Sequence, residues 1–135
     1  IGPFMRFYAK LMQAQGEEIG DNKLLRIKNL LQKLIKSGYA NAYFSCNPMG
    51  DIGYITIFCH DKHRSYYLFG AGSPEVKGHC YGTMAFWDAF KDLSKNSGVT
   101  EIDLEGINSP QRGWFKLSFG GDFKTYYQVK KQSLC

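Results

Sequence analysis

The stretch YANAYFSCNPMGDIGYITIFCHDKHRSYYLFG, residues 39–70, holds three runs of aromatic and β-branched residues separated by two short polar turns. YANAYFSC (39–46) and IGYITIFCH (52–60) alternate with period two, the pattern of strands. Asn47-Pro48-Met49-Gly50-Asp51 between them is turn chemistry, and DKHR leads into a third strand, SYYLFG (65–70). A parallel crossover needs about a dozen residues or more, so connections this short make the three strands an antiparallel meander.

Working outward, Phe4, Phe7, Tyr8, Leu11 and Met12 recur at helical spacing, with Gly16 as a stop. Leu24, Ile27, Leu31 and Leu34 mark a second amphipathic helix, capped near Asp21 or Asn22 and ended by Gly38. Its other face carries Lys23, Arg26, Lys28, Lys33 and Lys36, a stripe that either meets an anionic partner or is simply solvated. Downstream of a loop at 71–81, Phe86, Phe90 and Leu93 define a helix from about Gly82 to Ser97, ended by Gly98. TEIDL (100–104) follows as a strand, expected to run parallel to an earlier one through a right-handed crossover. Ser109 is placed to cap a short helix starting at Pro110, and FKTYYQV (123–129) reads as the strand that closes the sheet. The expected fold is α/β: a mixed sheet, an antiparallel meander followed by a β-α-β unit, with helices on both faces.

The 135 residues suit a single domain spanning 1–135, and a start at Ile1 rather than Met fits the C-terminal part of a longer chain. A 44% hydrophobic content argues against disorder, and no apolar run approaches the ~20 residues of a membrane span. The net charge of +5 favours phosphates, nucleotides, RNA or membrane surfaces, or serves solubility alone. Cys46, Cys59, Cys80 and Cys135 lack any CxxC spacing, which points to reduced thiols and a cytoplasmic protein. Cys59, His60, His63, His79 and Cys80 are acceptable zinc ligands by type. However, Cys59 and His60 are neighbours on a strand and face opposite ways, so no metal is expected.

The segments EIDLEG (101–106), RGWFKLSFGG (112–121) and TYYQV (125–129), with YYLFGAGSPE (66–75) and GTMAFWDAF (82–90), resemble the GNAT acyltransferase fold. More narrowly they resemble its FemABX-like branch, the peptidoglycan aminoacyltransferases and related envelope-glycan acyltransferases. The likeness covers roughly residues 39–130 and is strongest at Phe115-Lys116 followed by Phe119-Gly120-Gly121. It implies an N-acyltransferase that moves an acyl group from acetyl-CoA, or an aminoacyl group from aminoacyl-tRNA, onto an amine of a sugar or peptide acceptor, a cell-envelope precursor. FemABX proteins usually contain two GNAT-like halves, so the alternative is a non-catalytic half that binds a nucleotide-sugar or an RNA anion. A basic RNA-binding module built on the 23–36 stripe is a further rival, without an aromatic-basic signature to support it.

Asp103 and Glu105, alternate residues at a strand end, would share one face beyond the carboxyl end of a parallel strand, where ligands bind. Either is a candidate general base, and either could equally cap a helix or pair with Arg112. The resemblance places Lys116 at the reaction centre, where an ammonium would stabilise an oxyanion or a phosphate; a surface lysine is the other reading. Trp114, Phe115 and Phe119 read as core, and Tyr127 or Tyr81 as a general acid. The phosphate-cradling turn of CoA-dependent relatives corresponds to EVKGHCYGTM (75–84), giving Lys77, Gly78 and Gly82 as donor-binding candidates. Glu75 stands where a cation is expected.

Overall fold

The computed structural model describes residues 1–78, 80–107, 110–127 and 129, with the side chains of 111 and 112 outside the description. The elements are α1 (Gly2–Ala14), α2 (Asp21–Lys36), β1 (Ala40–Cys46), β2 (Ile52–His60), β3 (Arg64–Gly72), α3 (Tyr81–Asn96), β4 (Glu101–Asp103) and α4 (Pro110–Leu117). They divide into two compact units, Ile1–Glu105 and Gly106–Cys135.

The first unit is a four-stranded mixed sheet in the order β1-β2-β3-β4, antiparallel except for the parallel pair β3/β4. The Asn47 turn is built by side-chain mimicry: its Oδ1 accepts from the N–H groups of Met49 (3.0 Å) and Asp51 (2.9 Å), while Gly50 takes the left-handed φ of +88° the turn requires. Asp61 does the same for the second turn, accepting from His63 N–H at 2.7 Å and Arg64 N–H at 2.8 Å.

Period two along β2 sends side chains to two separate cores. Ile55 and Ile57 join Phe4 and Phe7 of α1 and Leu31 of α2 in one cluster. Phe58 points the other way, its ring 5.5 Å from Phe86 and 6.1 Å from Phe90 of α3. Helices therefore cover both faces, and β2 is buried on both sides. Burying such a side chain contributes about 1.5–3 kcal/mol each, so this central strand and its three helices dominate stability.

Helix ends follow backbone chemistry. Gly38 (φ +74°) ends α2, with its N–H on Ile35 O at 3.1 Å and Tyr39 N–H on Leu34 O at 2.9 Å. At the other end the N-cap is Gly20, not Asp21 or Asn22; Asp21 instead lies in the first turn, where its charge meets the positive end of the helix dipole.

The second unit contains α4, which begins at Pro110 as the sequence predicts; the proposed cap Ser109 lies outside the described residues. At the expected strand 123–129 the described residues 123–127 have no regular secondary structure, and 128 lies outside the described residues. Phe123, Tyr126 and Tyr127 are 69, 72 and 88% exposed, so their alternation has no buried face to serve. Strand propensity is realised only against a partner surface.

Candidate active site

β4 is three residues long and pairs only with the start of β3, Arg64 with Glu101, Ser65 with Ile102 and Tyr66 with Asp103. The Arg64 guanidinium reinforces this pairing on the Glu101 carboxylate, Nε to Oε2 at 2.9 Å. From Tyr67 to Gly72, β3 continues with no strand on that edge among the described residues. Along this stretch Phe58 pairs with Tyr67 and Ile57 with Phe69, so Leu68 is an extra residue, a bulge without a register partner in β2. On the α3 side of β3, the hydroxyls of Tyr54 and Tyr67 both approach Gly70, where an added Cβ would lie 2.6 Å from each. Burial pushes the Tyr54 hydroxyl well above the usual phenol range, and the Tyr67 hydroxyl adds to the shift.

The loop after β3 is anchored by Ser73, whose N–H donates to Gly53 O at 2.8 Å. Its Oγ accepts from the N–H groups of Glu75 and Val76, both at 3.2 Å, and donates to Glu75 Oε2 at 3.0 Å. Glu75 Oε1 in turn meets Arg6 Nη1 of α1 at 3.1 Å. These groups, with Lys77, Asp51 and Tyr81, line an open cleft of about 790 Å³.

Of the donor-binding candidates, Lys77 is exposed and has no ion-pair partner among the described residues. Gly78 has a packing role: a Cβ there would come within 2.5 Å of the Tyr81 ring, as would one at Gly53. Gly82 is the second residue of α3, whose N-cap Cys80 provides no side-chain bond and whose first turn holds no acid.

Asp103 ends β4 and Glu105 lies beyond it, so they do not share a strand face as the alternation implies. The cause is local. Asp103 Oδ1 accepts from Glu105 N–H at 2.8 Å, and Glu105 adopts a left-handed φ of +64°, unusual for a side chain other than Gly, Asn or Asp. Both carboxylates are exposed. The Cys59 thiol is pushed up by burial, with the Glu105 carboxylate adding to it, so this cysteine is not an activated nucleophile.

Lys116 and Tyr127 belong to the second unit. Lys116 Nζ donates to Gly106 O at 2.9 Å, fastening the last turn of α4 to the segment before it. Phe115 and Phe119 share an edge-to-face contact at 5.1 Å, as their spacing predicts, but Trp114 is 78% exposed and is not core. Tyr127 is exposed and outside any strand. No group of three His, Cys, Asp or Glu among the described residues is placed to hold a metal ion, and no helix of the described residues is long and apolar enough to cross a membrane.

No protein-family model matches the sequence, and no curated protein matches it at a significant level. Solved structures do. A predicted acetyltransferase with acetyl-CoA from Clostridium acetobutylicum superimposes with a TM-score of 0.71 at 10% identity, over 93% of this chain and 86% of the other. A possible acetyltransferase from Clostridium difficile 630 gives 0.70 at 10% identity, over 96% and 89%. The fold is that of the GNAT acetyltransferases. AAC(6')-Iy, in complex with the bisubstrate analogue CoA-S-monomethyl-acetylneamine, matches at 0.63 and 9% identity over 97% and 92%. Two features of the candidate site escape sequence reading. Arg6 lies 69 positions from Glu75 and carries no local signal. The Tyr54–Tyr67 pair follows only from strand register, in which Tyr54 faces Gly72 and Tyr67 faces Phe58.

Proposed function

We propose that this chain is an N-acyltransferase that uses an acyl-CoA donor and an amine acceptor. The observation that carries the reading is the departure of β4 from β3 after Tyr66, so that among the described residues no strand flanks the bulged edge 68–72, which leads into the cleft at Arg6 and Lys77. Ligands of such sheets sit beyond the carboxyl ends of parallel strands. An extended donor arm with amide groups suits an unpaired strand edge, and its phosphates suit the two cations. The donor supplies an activated acyl carbonyl; the chain supplies position, proton transfer and charge stabilisation. Asp103 or Glu105 takes the proton from the attacking amine, Lys116 stabilises the developing oxyanion, and Tyr127 returns a proton to the leaving group.

The finer assignment, an amine of a sugar or peptide in a cell-envelope precursor, rests on the FemABX-like segments EIDLEG and RGWFKLSFGG. Support for an aminosugar comes from the neighbour whose bisubstrate analogue joins CoA to acetylneamine. A cytoplasmic site of action is consistent with the unpaired thiols of Cys46, Cys59 and Cys80. A binding-only half is favoured by one observation: Asp103 and Lys116 both make local bonds that need no substrate to explain them.

Calorimetric titration with acetyl-CoA, followed by thiol release with aminosugar and peptide amines, tests these readings. We expect micromolar binding, weakened about tenfold by Lys77→Ala, and turnover lowered by about 10²-fold or more in Asp103→Asn or Glu105→Gln, the usual cost of losing a general base. Binding without turnover of any amine selects the binding-only half. No binding by the folded protein rejects the acyl-CoA donor and leaves aminoacyl-tRNA to be tried.

A further inference from the structure

The cleft beside the β3 exit is electrostatically balanced in an uneven way. Its cations are Arg6 and Lys77 and its carboxylates are Asp51 and Glu75. Asp51 is occupied within its own turn, accepting from Asn47 Nδ2 at 3.0 Å. Glu75 is held from one side by Ser73, which donates to Oε2 at 3.0 Å, and meets Arg6 on the other at 3.1 Å. Arg6 reaches across from α1, its guanidinium 5.1 Å above the centre of the Phe7 ring, and Glu75 is its only ion-pair partner among the described residues. The carboxylate is thus the anchored member of the pair and the guanidinium the one able to swing. Both side chains are well exposed, at 60 and 59%, and an ion pair so open to water is weak.

A phosphate or pyrophosphate offers a guanidinium more charge and a bidentate geometry at least as good as a carboxylate. We propose that Glu75 is a placeholder for a phosphorylated ligand: Arg6 exchanges its carboxylate partner for a phosphate group entering the cleft. Glu75 then sets how tightly that anion is held, both by competing for Arg6 and by standing as a negative charge beside the ligand. The identity of the ligand as an acyl-CoA rests on the function proposed above; the exchange itself requires only a phosphorylated anion.

Calorimetry on the full chain with two probes, CoA and inorganic pyrophosphate, separates the possibilities. Glu75→Gln is expected to tighten binding of both roughly twofold to fivefold, the scale of one exposed charge interaction, and Arg6→Ala to weaken it by at least as much. Asp51→Asn removes the same charge from the same cleft without touching Arg6, and its gain should be clearly smaller. Thermal melts of each variant confirm that it is folded. An unchanged or weakened affinity in Glu75→Gln overturns the exchange and makes the pair a structural clip, and an equal gain in Asp51→Asn overturns it in favour of unspecific charge. Pyrophosphate binding with the expected pattern but no binding of CoA would keep the exchange and reject the acyl-CoA donor. Binding of neither probe by any variant rejects both.

Discussion

Tyr81 shows how one side chain can dictate two glycines. A Cβ at Gly53 would lie 2.5 Å from ring atom Cγ of Tyr81, and one at Gly78 the same distance from Cε2. The backbone of Tyr81 is also held, its carbonyl accepting from the buried Ser45 Oγ at 2.7 Å, so the base of the ring cannot retreat. Gly53→Ala should therefore cost about 1–3 kcal/mol, the usual penalty for overpacking. Gly78→Ala should be destabilising as well, because it meets the same ring and adds a Cβ at a φ of +158°. Urea denaturation measures both, and in a Tyr81→Ala background the cost of Gly53→Ala should disappear; if it persists, the ring is not its cause. Glu105 presents the opposite case, a residue whose present side chain is the strained one. Its φ of +64° disfavours a Cβ, so Glu105→Gly should raise stability by roughly 0.5–1 kcal/mol, after the added freedom of the unfolded chain is subtracted. A rise in melting temperature together with a fall in acyl transfer would mark Glu105 as a residue kept for chemistry. A fall in stability would show the turn to depend on its side chain. The residue types of the loop after β3 are legible in the sequence. What a glycine or an acid packs against is not, because Tyr81, Gly53 and Arg6 come together only through the fold.

At the scale of elements, β1 and α3 are joined by a polar relay. Asn41 Nδ2 donates to Tyr43 Oη at 3.2 Å, Tyr43 donates to Asp92 Oδ2 at 2.7 Å, and Asn96 Nδ2 donates to Asp92 Oδ1 at 2.6 Å. The bonds from Asn96 and then Tyr43 hold the Asp92 carboxyl below its ordinary 3.8. Burial first, and then Asp92, pushes the Tyr43 hydroxyl above its ordinary 10.0. Below about pH 4 the unfolded chain binds a proton at Asp92 more readily than the folded one. The contribution of Asp92 is thus complete above that pH and lost as pH falls through the lower, folded value. For Tyr43 the sign reverses: its contribution is present below pH 10 and lost as pH rises beyond it. Asp92→Asn should cost roughly 1 kcal/mol at pH 7 for a half-buried charge-assisted pair, and the difference from wild type should shrink as pH falls below about 4. Denaturation midpoints across pH 3–8 check this, and a pH-independent difference would mean that the ionised form is not what stabilises the relay. The elements themselves were readable wherever period and boundary signals agreed. Residues 52–60 were placed to the residue as β2, and Pro110 starts its helix. β3 runs beyond the expected 65–70 to Arg64–Gly72, because pairing with β2 carries it through Gly70 and Gly72, which sequence alone reads as punctuation. Residues 123–127 depart for the converse reason: aromatic alternation announces a strand, but only a neighbouring strand can make one.

For the whole molecule, the decisive fact is where the burial lies. The described hydrophobic core, from Phe4 and Phe7 through Leu31, Ile57 and Phe58 to Phe86, Leu93 and Val99, falls entirely within the unit Ile1–Glu105. The candidate chemistry is divided differently, with Lys77, Asp103 and Glu105 in that unit and Lys116 and Tyr127 in Gly106–Cys135. Composition suggested one domain and was silent on this division, since the same aromatic richness runs through both units while, among the described residues, the buried aromatic side chains all belong to the first. Folding and function should therefore separate on truncation. A fragment of residues 1–105 keeps every buried side chain named above, so it should unfold in a single cooperative transition. Its urea dependence should be only modestly shallower than that of the full chain, because that slope scales with the surface exposed on unfolding. It should also keep the cleft proposed to take a phosphate, and bind pyrophosphate as the full chain does, because Arg6, Glu75 and Lys77 all precede the cut. The proposed acyl transfer should be lost with Lys116 and Tyr127, the roles proposed for them requiring both. Far-UV circular dichroism during urea unfolding and calorimetry with pyrophosphate read the two properties on one sample. A fragment that fails to fold cooperatively would show that the first unit needs the rest of the chain, and a fragment that folds and still transfers acyl groups would remove Lys116 and Tyr127 from the reaction.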